Sequence, residues 1–150
     1  MLSSCLRAGV LLLALVPLSA AATGPVVLVA GDPNGAHATV AVAGSPDASD
    51  GVVIETRRVG VAGSRLVLRI DRSDTALVER ILTADDCVFD TEGSLCRVII
   101  PGTDRAYGAI VRAFEAGLAA HVDVITAGIM EMRGTASLVG FRRALRAARG

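Results

Sequence analysis

The chain has 150 residues, with 15 basic and 15 acidic side chains, so its formal net charge at pH 7 is zero. This balance does not favour binding to nucleic acid, which requires a basic surface. Aromatic residues make up only 3% of the chain and Trp is absent. Platforms that stack bases are therefore not expected either.

The first 22 residues have the features of a cleaved signal peptide. Arg7 precedes a short apolar run at residues 8–16, and small residues follow at 19–22. The run is short for a bilayer core of about 30 Å, although a retained membrane anchor remains the alternative. We expect cleavage after Ala20 or Ala22, with the mature chain in the periplasm or secreted.

Two cysteines remain in the predicted mature chain, Cys87 and Cys96, because Cys5 leaves with the signal. An even pair in an exported protein favours a structural disulfide. The alternatives are a metal site and a redox pair. A metal would need His37 or His121 as a further ligand, both distant in sequence, and a redox motif would need Cys-x-x-Cys spacing.

The N-terminal part of the mature chain, residues 23–51, has the weakest pattern. Residues 26–29 form a short apolar run, and residues 37–43 could return as its hairpin partner. The turn between them, at 31–35, is rich in Gly, Pro and Asn. Residues 44–51 are predicted to form an exposed loop.

Residues 52–58 and 65–71 are predicted strands that could pair as an antiparallel hairpin. The second is the clearest strand of the chain because its side chains alternate. One face carries Leu66, Leu68 and Ile70, and the other carries Arg65, Val67, Arg69 and Asp71. Residues 75–82 fit either a helix or a strand.

A short strand at 97–100 is followed by the most secure helix, which runs from Asp104, its N-cap, to Gly117. Its apolar face consists of Tyr107, Ile110, Val111 and Phe114. Residues 118–125 and 129–136 are then predicted to form a β-hairpin. In its first strand, His121 and Asp123 face away from Val122 and Val124.

A terminal helix is predicted from Ser137 to Ala148. Its buried face consists of Leu138, Phe141 and Leu145, and one exposed face carries Arg142, Arg146 and Arg149. These arginines are typical of a solvated face opposing the negative end of the helix dipole. Alternatively, they form a contact for an anionic surface such as phospholipid or lipopolysaccharide.

The order of these elements resembles the invasion-associated locus B family of exported bacterial proteins. The resemblance covers roughly residues 52–148 and rests on Cys87, Cys96, the helix, the hairpin and the closing Ser-Leu-Val-Gly-Phe-Arg-Arg-Ala-Leu at 137–145. It implies a mainly β fold, an immunoglobulin-like β-sandwich with one inserted helix and a short C-terminal helix. Residues 52–150 would form its core, with 23–51 as divergent N-terminal strands and loop of the same domain. The resemblance implies no catalytic residues for this chain.

Catalytic and metal-binding patterns are weak. A hydrolase would need a His beside a Ser, and the candidates are His37 or His121 with Ser64, Ser94 or Ser137. No Gly-x-Ser-x-Gly elbow is present. Carboxylates near the cysteine loop could hold Ca²⁺, although a solvated acidic loop explains them more simply. These carboxylates are Asp85, Asp86, Asp90 and Glu92.

The sequence therefore predicts an exported, non-catalytic binding protein of the bacterial envelope, linked to host interaction or envelope integrity. Its expected partner is a protein or another envelope component, without nucleic acid, metal or cofactor. One alternative is a peripheral factor that docks on anionic lipid or lipopolysaccharide through the C-terminal arginines. The other is a small periplasmic hydrolase.

Overall fold

The computed structural model describes residues 24–44 and 50–150, so the predicted signal peptide lies outside the described residues. The strands are β1 (Val26–Gly31), β2 (His37–Val42), β3 (Val52–Arg57), β4 (Arg65–Ile70), β5 (Val78–Ile81), β6 (Cys87–Asp90), β7 (Gly93–Ile100), β8 (Ala119–Thr126) and β9 (Ile129–Ser137). The helices are a short 3-10 helix (Ala84–Asp86), α1 (Arg105–Ala116) and α2 (Phe141–Ala148). The prediction of a mainly β fold is confirmed.

All these strands belong to one curled antiparallel sheet of 9 strands, in the order β5-β4-β8-β9-β1-β2-β3-β7-β6. The curl brings the inner faces of its two halves together, so that a Cβ placed on Gly60 would lie near both Cys96 of β7 and Val124 of β8. Strand alternation directs the apolar side chains into this interior. Its most buried members include Val40, Ile54, Leu66, Leu68, Val98, Val122 and Val124.

Both helices cover the core with the faces predicted from the sequence. Phe114 of α1 and Phe141 of α2 meet edge to face, with ring centroids 5.3 Å apart. The predicted apolar residues of both elements are buried: Tyr107, Ile110, Val111, Phe114, Leu138, Phe141 and Leu145. Within the described part of the chain, neither helix has the length and apolar character needed to cross a bilayer.

The predicted hairpin between residues 52–58 and 65–71 is wrong. In the structure β3 pairs with β2 and β7, whereas β4 pairs with β5 and β8. The two strands lie in opposite halves of the curled sheet. Each has one apolar face, so the pattern fits either half and does not identify the neighbouring strand. The ambiguous segment at 75–82 contains strand β5.

The C-terminal helix begins later than predicted, at Phe141 instead of Ser137. Ser137 still pairs with Ala119 as the last residue of β9. Gly140 then has a φ of 84°, in the left-handed region that favours Gly. The helix can therefore start only after this residue.

Cys87 and Cys96 lie directly opposite each other on β6 and β7, with their sulfur atoms 2.18 Å apart, at disulfide-bonding distance. This agrees with the predicted disulfide.

Replacing both cysteines by Ser should lower the free energy of unfolding by about 2.5 kcal/mol, because the crosslink restricts a short loop in the unfolded chain. Urea denaturation of the chain without its predicted signal peptide, and of the double variant in the same form, measures the difference. Thiol labelling of the denatured, unreduced mature protein should detect no free cysteine. Two free thiols, or equal stabilities, would contradict the disulfide.

The two halves of the sheet join where β1 meets β9, and Gly31↔Thr135 is the pair that connects these strands. Asp32 strengthens the junction: one carboxylate oxygen accepts the backbone N–H of Arg133 at 3.0 Å. The other accepts the N–H of Asn34 at 2.7 Å. The hydrogen bond from Arg133, followed by that from Asn34, lowers the pKa of Asp32.

A carboxylate with a lowered pKa in the folded state stabilises the protein above its unfolded pKa, and this contribution is lost as the pH falls through the folded pKa. Asp32→Asn should therefore show a smaller loss of stability than the wild type as the pH falls below about 4. Urea denaturation across this acid range gives the comparison. Parallel pH profiles for the two proteins would show that Asp32 does not contribute.

Candidate functional site

The outer face of β4, β8 and β9 carries three rows of side chains, because strand residues alternate between the two faces of the sheet. The register fixes which residues share a row. The rows are Arg65–Ile125–Met130, Val67–Asp123–Arg133 and Arg69–His121–Thr135. Polar and charged groups are thus gathered around Asp123 at the centre of this face.

Asp123 is only 1% exposed, although it lies on the outer face of the sheet. Arg69 donates a hydrogen bond from Nη2 to one carboxylate oxygen of Asp123. Arg133 donates from Nε to the other oxygen, at 3.2 Å. A buried carboxylate needs this compensation, because an unpaired charge is strongly disfavoured away from water.

The pairing with Asp123 leaves further arginine donors available. Among the described residues, the terminal nitrogens of Arg133 and the guanidinium of Arg72 donate no hydrogen bond, and the buried Nε of Arg69 has no acceptor. Asp123 therefore holds Arg69 and Arg133 in place without using all their donors. Planar guanidinium groups presented in this way are suited to bind carboxylate or phosphate oxygens.

Two adjoining cavities lie over these side chains, and Arg69 and Arg133 line both. The smaller, of about 210 Å³, is lined by Arg69, Asp71, Arg72, Ser73, His121 and Arg133. The lining of the larger, of about 340 Å³, includes Val67, Ile125, Met130, Asp74 and Glu79. We call the two cavities together the Asp123 cleft.

The walls of the Asp123 cleft are fixed by local hydrogen bonds. Asp71 accepts the backbone N–H groups of Leu118 and Ala119, both at 2.9 Å, which holds the end of β4 against the start of β8. Nδ1 of His121 lies 3.0 Å from the hydroxyl oxygen of Thr135. The smaller cavity thus has a well-defined, mainly cationic lining.

The arginines predicted to contact an anionic surface lie at the C-terminal end of the chain and do not line the Asp123 cleft. Arg142 donates to the backbone oxygen of Glu115 at 3.3 Å. Arg149, just beyond the last residue of α2, donates to the backbone oxygen of Gly44 at 3.0 Å. Arg146 is exposed in the last turn.

The groups considered for hydrolysis are not brought together. In the described ranges, no hydrogen bond joins a His to a Ser. His121 faces Thr135 instead. The hydroxyl oxygen of Ser64 lies 2.7 Å from that of Thr126, and the hydroxyl of Ser137 accepts the N–H of Val139.

The acidic residues near the cysteines are engaged locally. Asp86 accepts hydrogen bonds from the backbone and hydroxyl of Thr83, and Asp90 accepts the N–H of Glu92. The backbone hydrogen bond from Thr83 lowers the pKa of Asp86. No group of three or more His, Cys, Asp or Glu side chains among residues 24–44 and 50–150 is arranged to hold a metal ion.

The sequence pattern did not identify Asp123 as the centre of a site. It placed the residue correctly on the face opposite Val122 and Val124 but gave no indication that the side chain is buried. Burial of Asp123 depends on Arg69 from β4, and the sequence did not reveal that β4 and β8 are neighbours. The sequence did contain one indication of the site: Asp123 lies within one predicted strand, and Arg69 and Arg133 lie within two others.

No protein-family model, curated protein or solved structure matches this chain. The case for a binding site therefore rests on the geometry of the Asp123 cleft.

Proposed function

We propose that this protein is an exported, non-catalytic binding protein of the bacterial envelope, which holds a ligand with an acidic group in the Asp123 cleft. The observation that carries this proposal is the buried carboxylate of Asp123, bridging two arginines on the outer face of a sheet. Cavities of about 340 and 210 Å³ adjoin those arginines.

A purely structural role explains this arrangement poorly. Burying an ion pair generally adds little net stability, because the desolvation of both charges offsets their attraction. A solvated polar face would avoid that penalty. The pairing does, however, fix two guanidinium groups before a ligand arrives, and preorganised donors bind an anion with less loss of entropy.

The envelope location is supported by the signal-like first 22 residues and by the cysteine pair at disulfide-bonding distance. The proposed relationship to the invasion-associated locus B proteins is supported by the element order from Cys87 onward. The immunoglobulin-like sandwich belongs to the same proposal. A curled antiparallel sheet with α1 inserted after β7 and α2 at the end is compatible with it.

Site-specific photo-crosslinking in living cells tests the proposal. A photoreactive amino acid replaces Ser73, which is exposed and lines the smaller cavity. The matched control carries it at Val29, which is 61% exposed on the other half of the sheet. We expect a discrete adduct from position 73, identified by mass spectrometry, and none from position 29.

The adduct should also disappear when the cleft is altered by Arg72→Gln, which removes a charge without touching Asp123. No adduct at position 73, or the same adduct from both positions, would contradict the proposal. An adduct that survives Arg72→Gln would place the contact outside the cationic cavity.

A second candidate, docking on anionic lipid, is favoured by the surface near the start of α2. Leu118 and Val139 are 71% and 80% exposed. They lie close together, because Leu138 donates its N–H to the backbone oxygen of Leu118. Arg142 follows three residues after Val139 and donates a hydrogen bond to the backbone oxygen of Glu115. Exposed aliphatic side chains flanked by arginines suit the interface of an anionic membrane.

Liposome flotation separates this candidate from the first. If lipid docking is correct, the mature protein should float with vesicles that contain anionic phospholipid and not with neutral vesicles. Replacing Arg142, Arg146 and Arg149 by Gln should then abolish flotation, whereas Arg72→Gln should leave it unchanged. Unchanged flotation of the triple variant would exclude docking through these arginines.

A further inference from the structure

The smaller cavity of the Asp123 cleft favours one negatively charged group. Three arginines line it, Arg69, Arg72 and Arg133. The carboxylate of Asp71 is already engaged with two backbone N–H groups. Asp123 lies beneath and offsets only part of the positive charge. Arginine forks match the planar, bidentate geometry of a carboxylate.

The larger cavity gives this anion site an apolar neighbour. Val67, Ile125 and Met130 line it beside the shared arginines. With a volume of about 340 Å³, this cavity has room for an apolar side chain of moderate size. A ligand that fills both cavities therefore carries an apolar group close to its carboxylate.

The larger cavity disfavours a second anionic group. Its lining includes two carboxylates, those of Asp74 and Glu79. Glu79 is paired with Arg65 at 3.2 Å, whereas Asp74 has no ion-pair partner in the described part of the chain. Carboxylates at this position repel phosphates and attract N–H groups. Polyphosphates and multiply phosphorylated glycolipids are therefore poor fits.

We infer that the Asp123 cleft binds the free carboxyl end of a short peptide whose last residue is apolar. The terminal carboxylate lies against Arg72 and Arg133, the last side chain lies over Val67, Ile125 and Met130, and the preceding backbone faces Asp74 and Glu79. This inference rests on the proposed binding function and specifies its ligand class.

Nuclear magnetic resonance titration of the mature protein with glycyl-glycyl-leucine tests the ligand class. The free acid should shift the backbone amide signals of Ser73, His121 and Asp123 in a saturable manner. The same peptide with an amidated carboxyl group should bind at least about tenfold more weakly, because it loses a charge-assisted hydrogen-bond pair. Triglycine should bind about tenfold more weakly, because it lacks the apolar side chain.

Sodium acetate is the control for a simple anion site. Acetate that binds as tightly as the leucine peptide, or an amidated peptide that binds equally well, would overturn the inference. The variant Arg72→Gln should weaken peptide binding about tenfold. Arg97→Gln should leave it unchanged, because Arg97 is an exposed, carboxylate-paired arginine on the other half of the sheet. Arg72 is exposed and pairs with no carboxylate among residues 24–44 and 50–150, so its replacement tests binding without disturbing the fold.

The titration tests the peptide ligand, whereas the photo-crosslinking experiment tests the binding function, so their outcomes can be told apart. A specific adduct from position 73 combined with no response to the peptides would keep the binding function and overturn the peptide ligand. No adduct and no peptide response would overturn both.

Discussion

Asp123→Ala should lower the free energy of unfolding by about 3 kcal/mol, because it leaves two arginines without their shared carboxylate. Asp123 is 1% exposed, so the lost interactions are shielded from solvent. Arg69 and Arg133 remain 27% and 59% exposed in their side chains, which keeps the expected loss at the low end for a broken buried pair. Urea denaturation measures the change.

Asp74→Ala is the matched control, since it removes an exposed carboxylate of the same cleft. We expect it to change stability by less than about 0.5 kcal/mol. In a double-mutant cycle of Asp123→Ala with Arg133→Gln, the double variant should lose less stability than the sum of the two single losses, because the second replacement removes one of the uncompensated charges. Equal stability of Asp123→Ala and the wild type would show that the buried cluster is energetically unimportant.

Gly134→Ala should also lower the free energy of unfolding by about 3 kcal/mol, because the new methyl group has no room. A Cβ at Gly134 would lie 2.7 Å from the backbone oxygen of Ala30, so that β1 and β9 would have to move apart. A backbone atom cannot give way as the end of a flexible side chain can. The strain falls on the junction of the two halves of the sheet.

Gly31→Ala provides the comparison within the same junction. Gly31 pairs with Thr135, and no atom of the described residues lies within 4 Å of a Cβ placed on it. This variant should be as stable as the wild type within about 0.5 kcal/mol. Thermal and urea unfolding of both variants give the result. Similar losses of stability for Gly31→Ala and Gly134→Ala would show that the close approach of β9 to Ala30 does not cause the destabilisation of Gly134→Ala.

Much of the local structure followed from the sequence because it depends on near neighbours. The alternation in β4 and β8 and the helical spacing of Tyr107, Ile110 and Phe114 assigned the buried faces correctly. The β8–β9 hairpin formed as expected, with Ala127 and Gly128 both at positive φ in the turn. Turns of this kind match the twist of paired strands.

The pairing of β4 was missed because the choice of partner is a long-range property. A strand with one apolar face can join either half of a curled sheet, and loop closure limits that choice only weakly. The actual pairing places Arg69 beside His121 and brings its guanidinium to Asp123. The candidate site therefore depends on a contact between residues 54 positions apart.

The sequence by itself determined the mainly β class, the helix ends near Asp104 and Gly117, the cysteine pair and which side chains face outward on β4 and β8. These features follow from periodicity, capping and residue chemistry, which act over a few residues. Only the tertiary structure decided that the sheet curls, that β4 lies beside β8 and that the outward-facing Asp123 is buried between two arginines. The physical reason is that burial of a charge depends on which distant strands supply its counter-charges, and one strand's pattern does not encode its neighbours.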